Sequence, residues 1–199
     1  EAGRDESVAA PIFSVFVDFF SLGVLAPLIP FLVAEWGAGE QWVGYLLSGQ
    51  YLAVVVGQIT IGWLSDALGD RRFVTLIVTG GQVVCFIASG LVKSPSSLLA
   101  VRCVAGLFAP IGLSLAWVAA LSKSPQALTR NFSRIAALGI QSGILSGSLV
   151  SSAISAGVGE AYDLTAQQNF TLGCATAALV GCLSFFFTLH ALRVSQFAP

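Results

Sequence analysis

Six long stretches of apolar sequence dominate the chain, near residues 10 to 33, 42 to 64, 73 to 92, 97 to 121, 132 to 156 and 169 to 192. A hydrocarbon core about 30 Å thick takes roughly 20 apolar residues of helix to cross, and each stretch is long enough. In lipid every backbone N–H and C=O must be satisfied within the segment itself, and these runs are far longer than the alternating strands of a barrel. The expected fold class is therefore all-α: a polytopic membrane protein built as a six-transmembrane-helix bundle.

Composition excludes the soluble alternative. Nine basic and ten acidic residues, against 56% hydrophobic residues in 199, cannot supply the charged surface a soluble domain of this size needs. Lipid is the expected solvent, and no nucleic acid is expected as a partner. Cys85, Cys103, Cys174 and Cys182 all lie inside apolar runs, without C-x-x-C spacing or a neighbouring histidine. They read as small core residues, so neither a metal site nor a cofactor is expected. With no methionine and Glu1 as its first residue, the sequence is expected to belong to a longer reading frame. The opening "EAGRDESVAA" is acidic and polar, unlike a secretory signal.

Cytoplasmic loops retain lysine and arginine, which orients the bundle. With the N-terminus inside, that side collects Arg4, Arg71, Arg72, Lys123, Arg130, Arg134 and Arg193, and the other side only Lys93. Both termini are expected in the cytoplasm. The domain organisation is a cytoplasmic segment over 1–9, the transmembrane bundle over 10–192 and a cytoplasmic segment over 193–199.

A Gly-x-x-Ala-Pro pattern occurs twice: "GVLAP" from Gly23 in the first run and "GLFAP" from Gly106 in the fourth, three runs later and in the opposite direction. That is the form of two inverted three-helix repeats. Asp18 lies five residues before the first glycine and Arg102 four before the second, so each repeat carries one ion inside the membrane. A charge at the bilayer centre costs about 2.5 to 3.5 kcal/mol on insertion scales, so it normally faces a cavity or a partner. Interrupted helices at matching places in inverted repeats point to a transporter's binding region. Asp18 and Arg102 are the candidate proton- and substrate-binding residues, with Gln50 and Gln141 as polar neighbours. The competing reading makes both ions structural, satisfied by helix ends or by Gln50, Gln58 and Gln141.

One stretch between the second and third runs concentrates polarity: "GWLSDALGDRR", residues 62 to 72. Gly62, Asp66, Gly69, Arg71 and Arg72 match the loop signature of the major facilitator superfamily, which the chain resembles; Ala67 stands where that signature usually has a base. The spacing has physical sense. Gly62 would let helices approach, Gly69 permits a tight turn, and the arginines hold the loop at the anionic leaflet. "DFFSLGVLAPLIP", residues 18 to 30, is similar to the first helix of tetracycline-efflux-type drug:proton antiporters and vesicular amine transporters. "RCVAG", residues 102 to 106, matches the core of a motif associated with proton coupling. In the fifth run "GIQSGILSGS" places a glycine at every fourth position, a close-packing face, but has Ser148 where the antiporter signature has proline.

The resemblance covers nearly the whole chain and corresponds to the N-terminal half of a twelve-helix facilitator. It implies a secondary active transporter that moves a small organic solute by alternating access, coupled to protons. It also implies a second six-helix bundle, from a missing C-terminal half or another chain. Helices 1 and 4 would line the cavity, 2 and 5 would face the other bundle, and 3 and 6 would stand outermost. Asp66 would act as a latch, with Lys123 or Arg130 as partners. The alternative is a transporter-like structural or assembly subunit without transport activity. An enzyme is not expected: "GIQSG" misplaces Ser142 for a rhomboid nucleophile, and His190 falls several turns away from it in depth.

Overall fold

The structure, a computed structural model, describes residues 8–196, excepting the side chains of 71, 72 and 191–196. Arg4, the side chains of Arg71, Arg72 and Arg193, and the terminal segments at 1–7 and 197–199 lie outside the described residues. The fold is all-helical, and no strand occurs among the described residues. Five helices are long and apolar enough to cross a membrane, and a bent pair completes a sixth span.

The first span consists of Ala9–Leu25 and Ile29–Glu35, bent by 43° where they join. Pro27 lies at the bend; proline has no N–H to give and its ring collides with the preceding turn, so the helix stops and restarts with Pro30 in its new first turn. The second span is Gln41–Leu68 and the third Arg71–Leu91. The fourth, Pro95–Leu121, is interrupted between Pro95–Leu107 and Ile111–Leu121, with Pro110 at the restart. Both Gly-x-x-Ala-Pro stretches therefore run directly into helix breaks, at equivalent places in spans of opposite direction.

The fifth span, Pro125–Gly159, contains two π-helical stretches, Ile135–Gln141 and Ala153–Gly159, and the sixth is Ala166–Gln196. "KSPSS" and "SKSPQALTR", which lie between apolar runs, are helix starts. Ser94 Oγ accepts from Ser97 N–H at 3.3 Å and Ser124 Oγ from Ala127 N–H at 3.2 Å, with a proline opening each helix. Apolar run length is blind to this. Pro125–Arg134 is polar, so it adds no apolar length, yet its cap and proline still nucleate a helix. Asn131 ties it back by donating to Ser122 Oγ at 3.2 Å.

The first span packs along the fifth, the second along the fourth and the third along the sixth; the first also meets the sixth, and the third the fourth. Exchanging the first three spans for the last three, in order, leaves this pattern unchanged. That invariance is the inverted repeat in three dimensions. Lipid tails are as apolar as leucine, so helices associate here through close contact rather than hydrophobic expulsion, and small residues allow it. A Cβ built on Gly23 would lie 2.5 Å from the carbonyl oxygen of Ile144, and one built on Gly147 would collide with that of Phe20. In the other repeat a Cβ on Gly106 would lie 2.5 Å from the carbonyl oxygen of Gln50. The glycine that opens each repeated pattern is thus a backbone crossing point. The glycine stripe of the fifth span is the other side of the first crossing. Val17, Phe20, Leu28, Leu32, Leu46 and Phe170 fill the space around it.

Candidate functional site

Asp18 sits on the first span one and a half turns before Gly23, partly buried. Its Oδ1 accepts a hydrogen bond of 2.6 Å from Nε2 of Gln82 on the third span. Gln82 is 3% exposed, and its own Oε1 is buried without a partner. Sequence position points to Gln50, Gln58 and Gln141 as polar neighbours of the ions and not to Gln82. The signal was available: a lone amide among "TGGQVV" in an apolar helix is costly unless bonded.

Arg102, on the fourth span, is 3% exposed and its Nε has no hydrogen-bond partner. It lines a small space of about 10 Å³, together with Ser21, Gln50, Phe86 and Ser89 among others. Four spans meet there. Gln50 contributes a buried Oε1 that is also unpartnered. Ser21 donates to the backbone carbonyl of Asp18 at 2.7 Å, which ties this space to the carboxylate's own turn. Ser21 and Phe86 follow Asp18 and Gln82 by three and four residues on parallel spans, so the Arg102 space lies about one turn, ~5 Å, further along them.

Gln141 is placed elsewhere. It is exposed at the end of a π-helical stretch, on the same stripe of the fifth span as Leu138, Leu145 and Leu149, and does not join Asp18 or Arg102. A larger cleft of about 520 Å³, walled by Phe13, Phe16, Leu138 and Phe187, is almost wholly apolar and offers no charged group.

At the other end of the second span, Asp66 occupies the last helical turn and is exposed. Gly69 follows with φ of +65°, and its N–H bonds to the carbonyl oxygen of Ser65 at 3.0 Å; this left-handed cap is what a glycine permits. Asp70, outside the matched signature positions, starts the third span by accepting from Phe73 N–H at 3.2 Å. Nothing lies within 4 Å of a Cβ built on Gly62, so the helix approach expected there is not made within this chain. Among the described residues Asp66 forms no ion pair with Lys123 or Arg130.

Six apolar spans in inverted repeats, with a polar centre between the interrupted pair, define an integral multi-pass membrane protein. The sequence matches the family model described as Major Facilitator Superfamily over residues 12–197. The chain belongs to that superfamily. Among curated proteins, a gallate transporter of Pseudomonas putida is 28% identical over 93 residues, which are 47% of this chain and 20% of that transporter. The chain thus covers about a fifth of the length of that relative.

Proposed function

We propose that the chain is the N-terminal half of a secondary transporter that moves a small organic solute by alternating access, with Asp18 as its proton site. The observation that carries this is the partly buried Asp18–Gln82 pair, about one turn from the space where Arg102 of the interrupted fourth span meets the interrupted first span. Carboxylates inside a membrane are retained where they face a pathway or a relay, and half-helices beside them are the usual architecture of a transport site. The buried Arg102, whose Nε has no hydrogen-bond partner, supports this reading over a role in assembly alone.

The working unit in this proposal contains a second six-helix bundle that rocks against this one. Support comes from the uneven burial of the spans. The most apolar windows of the second and fifth spans are 17% and 28% buried within this chain, against 39–50% for the third, fourth and sixth. Leu52, Val56, Ile59 and Trp63 form an exposed stripe on the second span that ends at Asp66. In this reading both termini face the cytoplasm, as the excess of lysine and arginine on that side supports.

Two branches are in play for the solute. The stretch "DFFSLGVLAPLIP" resembles drug:proton antiporters, whereas the relative from Pseudomonas putida is named for gallate. Asp18 alone suits a cationic drug. Arg102, carrying a permanent charge with no partner on Nε, favours an acid. The test is accumulation of labelled solute by proteoliposomes of the complete transporter under an imposed pH gradient. Uphill uptake or efflux that collapses with the gradient is expected; gradient-independent equilibration would remove proton coupling.

A further inference from the structure

We propose that the apolar cleft between the first, fifth and sixth spans is a binding site for an anionic phospholipid, with an acyl chain in the cleft and the phosphate held by Arg134 and Arg130. The site stands on its own geometry; only the identification of its leaflet as the cytoplasmic one rests on the orientation given above.

The cleft, of about 520 Å³, has the first turns of the first span as its floor and Leu138 and Phe187 as walls on the fifth and sixth. Phe13 stacks on Phe16 with ring centroids 5.9 Å apart and meets Phe187 edge to face at 5.8 Å, which fixes the sixth-span wall to the floor. The fifth span is fixed too: a Cβ built on Gly139 would lie 2.9 Å from Cγ1 of Val15, and one on Gly143 2.8 Å from the carbonyl oxygen of Phe16. The surface between these contacts asks for no polar partner. The hydroxyl that lines it, on Ser142, is spent on the carbonyl of Leu138 at 2.6 Å. At this depth the solvent is hydrocarbon, so such a groove takes an acyl chain. The exposed stripe that a second bundle would cover lies on the second span, which does not line the cleft.

Charge selects which lipid. Arg134 stands four residues before Leu138, where the fifth span turns from polar to apolar, and no charged residue follows it until Glu160. Arg130 lies one turn further out; both are exposed, and among the described residues neither forms an ion pair. On the opposite wall His190 follows Phe187 by three residues and is also exposed. The fifth and sixth spans run in opposite directions, so both walls carry polar groups one turn beyond their apolar lining, toward the same membrane face. That is where the phosphate of a lipid stands above its chains, and arginine reaches it by laying its stem along the apolar surface. A phosphatidylcholine head would add a cation beside two arginines, whereas a phosphatidylglycerol head adds none.

The experiment is native mass spectrometry of the detergent-solubilised full chain titrated with palmitoyl-oleoyl phosphatidylglycerol or phosphatidylcholine. One phosphatidylglycerol per chain is expected, held at least about 10-fold more tightly than phosphatidylcholine. Arg134→Gln and Arg130→Gln should each weaken phosphatidylglycerol by about 5-fold and leave phosphatidylcholine unchanged, the factor a basic residue near an anionic head contributes. Leu138→Trp fills the cleft and should abolish retention of both lipids; Leu149→Trp, exposed on the same stripe beyond the cleft, should not. If Leu138→Trp elutes as aggregate, Phe187→Ala carries the comparison, since it removes the opposite wall and should release both lipids. Equal retention of the two lipids, or retention untouched by every cleft and arginine variant, overturns the proposal. Displacement by glycerol 3-phosphate would assign the arginines to a soluble phosphate, and a lipid-free dimer lost in Leu138→Trp would assign the cleft to a second copy of the chain; either result overturns it. The measurement needs neither a gradient nor a solute, so an inactive transporter would not obscure the result.

Discussion

Asp18 accepts its hydrogen bond from Gln82, at 2.6 Å, and not from Arg102. The two ions that the repeats bring into the membrane are therefore held apart, each in a setting of neutral polar groups. Such an arrangement leaves the carboxylate able to change protonation without breaking an ion pair.

For Asp18 the expected outcome is a separation of folding from coupling. Asn still accepts from Gln82, so Asp18→Asn should keep its elution profile and melting temperature while losing pH-driven transport. Interhelical hydrogen bonds in membranes are worth about 0.6 kcal/mol on average and at most about 1.7. A double-mutant cycle of Asp18→Ala with Gln82→Leu should give a coupling in that range. Normal gradient-driven transport by Asp18→Asn would exclude this residue from the mechanism.

Arg102→Lys keeps the charge and loses the planar fork of donors. If the guanidinium organises several acceptors, transport falls while membrane expression holds. Full activity in the lysine variant would reduce Arg102 to a point charge, and a parallel loss of expression and activity would make it structural.

The helix crossing at Gly147 and the open position at Gly62 make a contrasting pair. Gly147→Ala drives a methyl into the Phe20 carbonyl, and overpacking of this kind costs about 1 to 3 kcal/mol. Gly62→Ala meets nothing within this chain and gains helix propensity, up to about 1 kcal/mol. Thermal unfolding in detergent should fall for the first and hold or rise for the second. In the assembled transporter, a loss of activity in Gly62→Ala without loss of bundle stability would place that glycine against the second bundle.

Asp66 and Gly69 separate a latch from a turn. Gly69→Ala forces a Cβ into left-handed backbone and should cost about 1 to 2 kcal/mol in either conformational state. Asp66→Asn, at an exposed position outside any ion pair among the described residues, should leave the stability of the bundle unchanged. Its expected effect is on the conformational equilibrium, read as faster labelling of a cysteine placed in the cytoplasmic cavity. Unchanged labelling with intact transport would leave Asp66 an ordinary helix-end charge.

At the opposite face, Glu35 Oε2 accepts from Gln167 N–H at 2.7 Å in the first turn of the sixth span, while Gln167 Nε2 donates to the carbonyl of Val92 at 3.1 Å. Three spans are clasped at one point. A carboxylate at a helix N-terminus contributes about 0.3 to 1 kcal/mol. Glu35→Ala should lower thermal stability by that order, and the loss should shrink at high salt. A salt-independent loss would point to packing rather than to the charge.

The six spans, their all-helical form, the two proline breaks and the loop signature were legible in the sequence. Lipid removes every way of satisfying a long apolar backbone except a helix, and proline interrupts that helix wherever it stands. Glycine spacing in the fifth run also announced a close contact, though not its partner. What the chain alone left open depended on which faces meet. The helical starts at Ser94 and Ser124 lay hidden because caps work through local hydrogen bonds and not through apolarity. Gln82, and not Gln50 or Gln141, became the partner of Asp18 because the first and third spans run parallel and in register at that height, while the π-helical turn of the fifth span leaves Gln141 on its outer stripe. Side-chain chemistry is written residue by residue; the rotation of one helix against another is set by the glycine crossings at Gly23 and Gly106, and only the packed bundle fixes it.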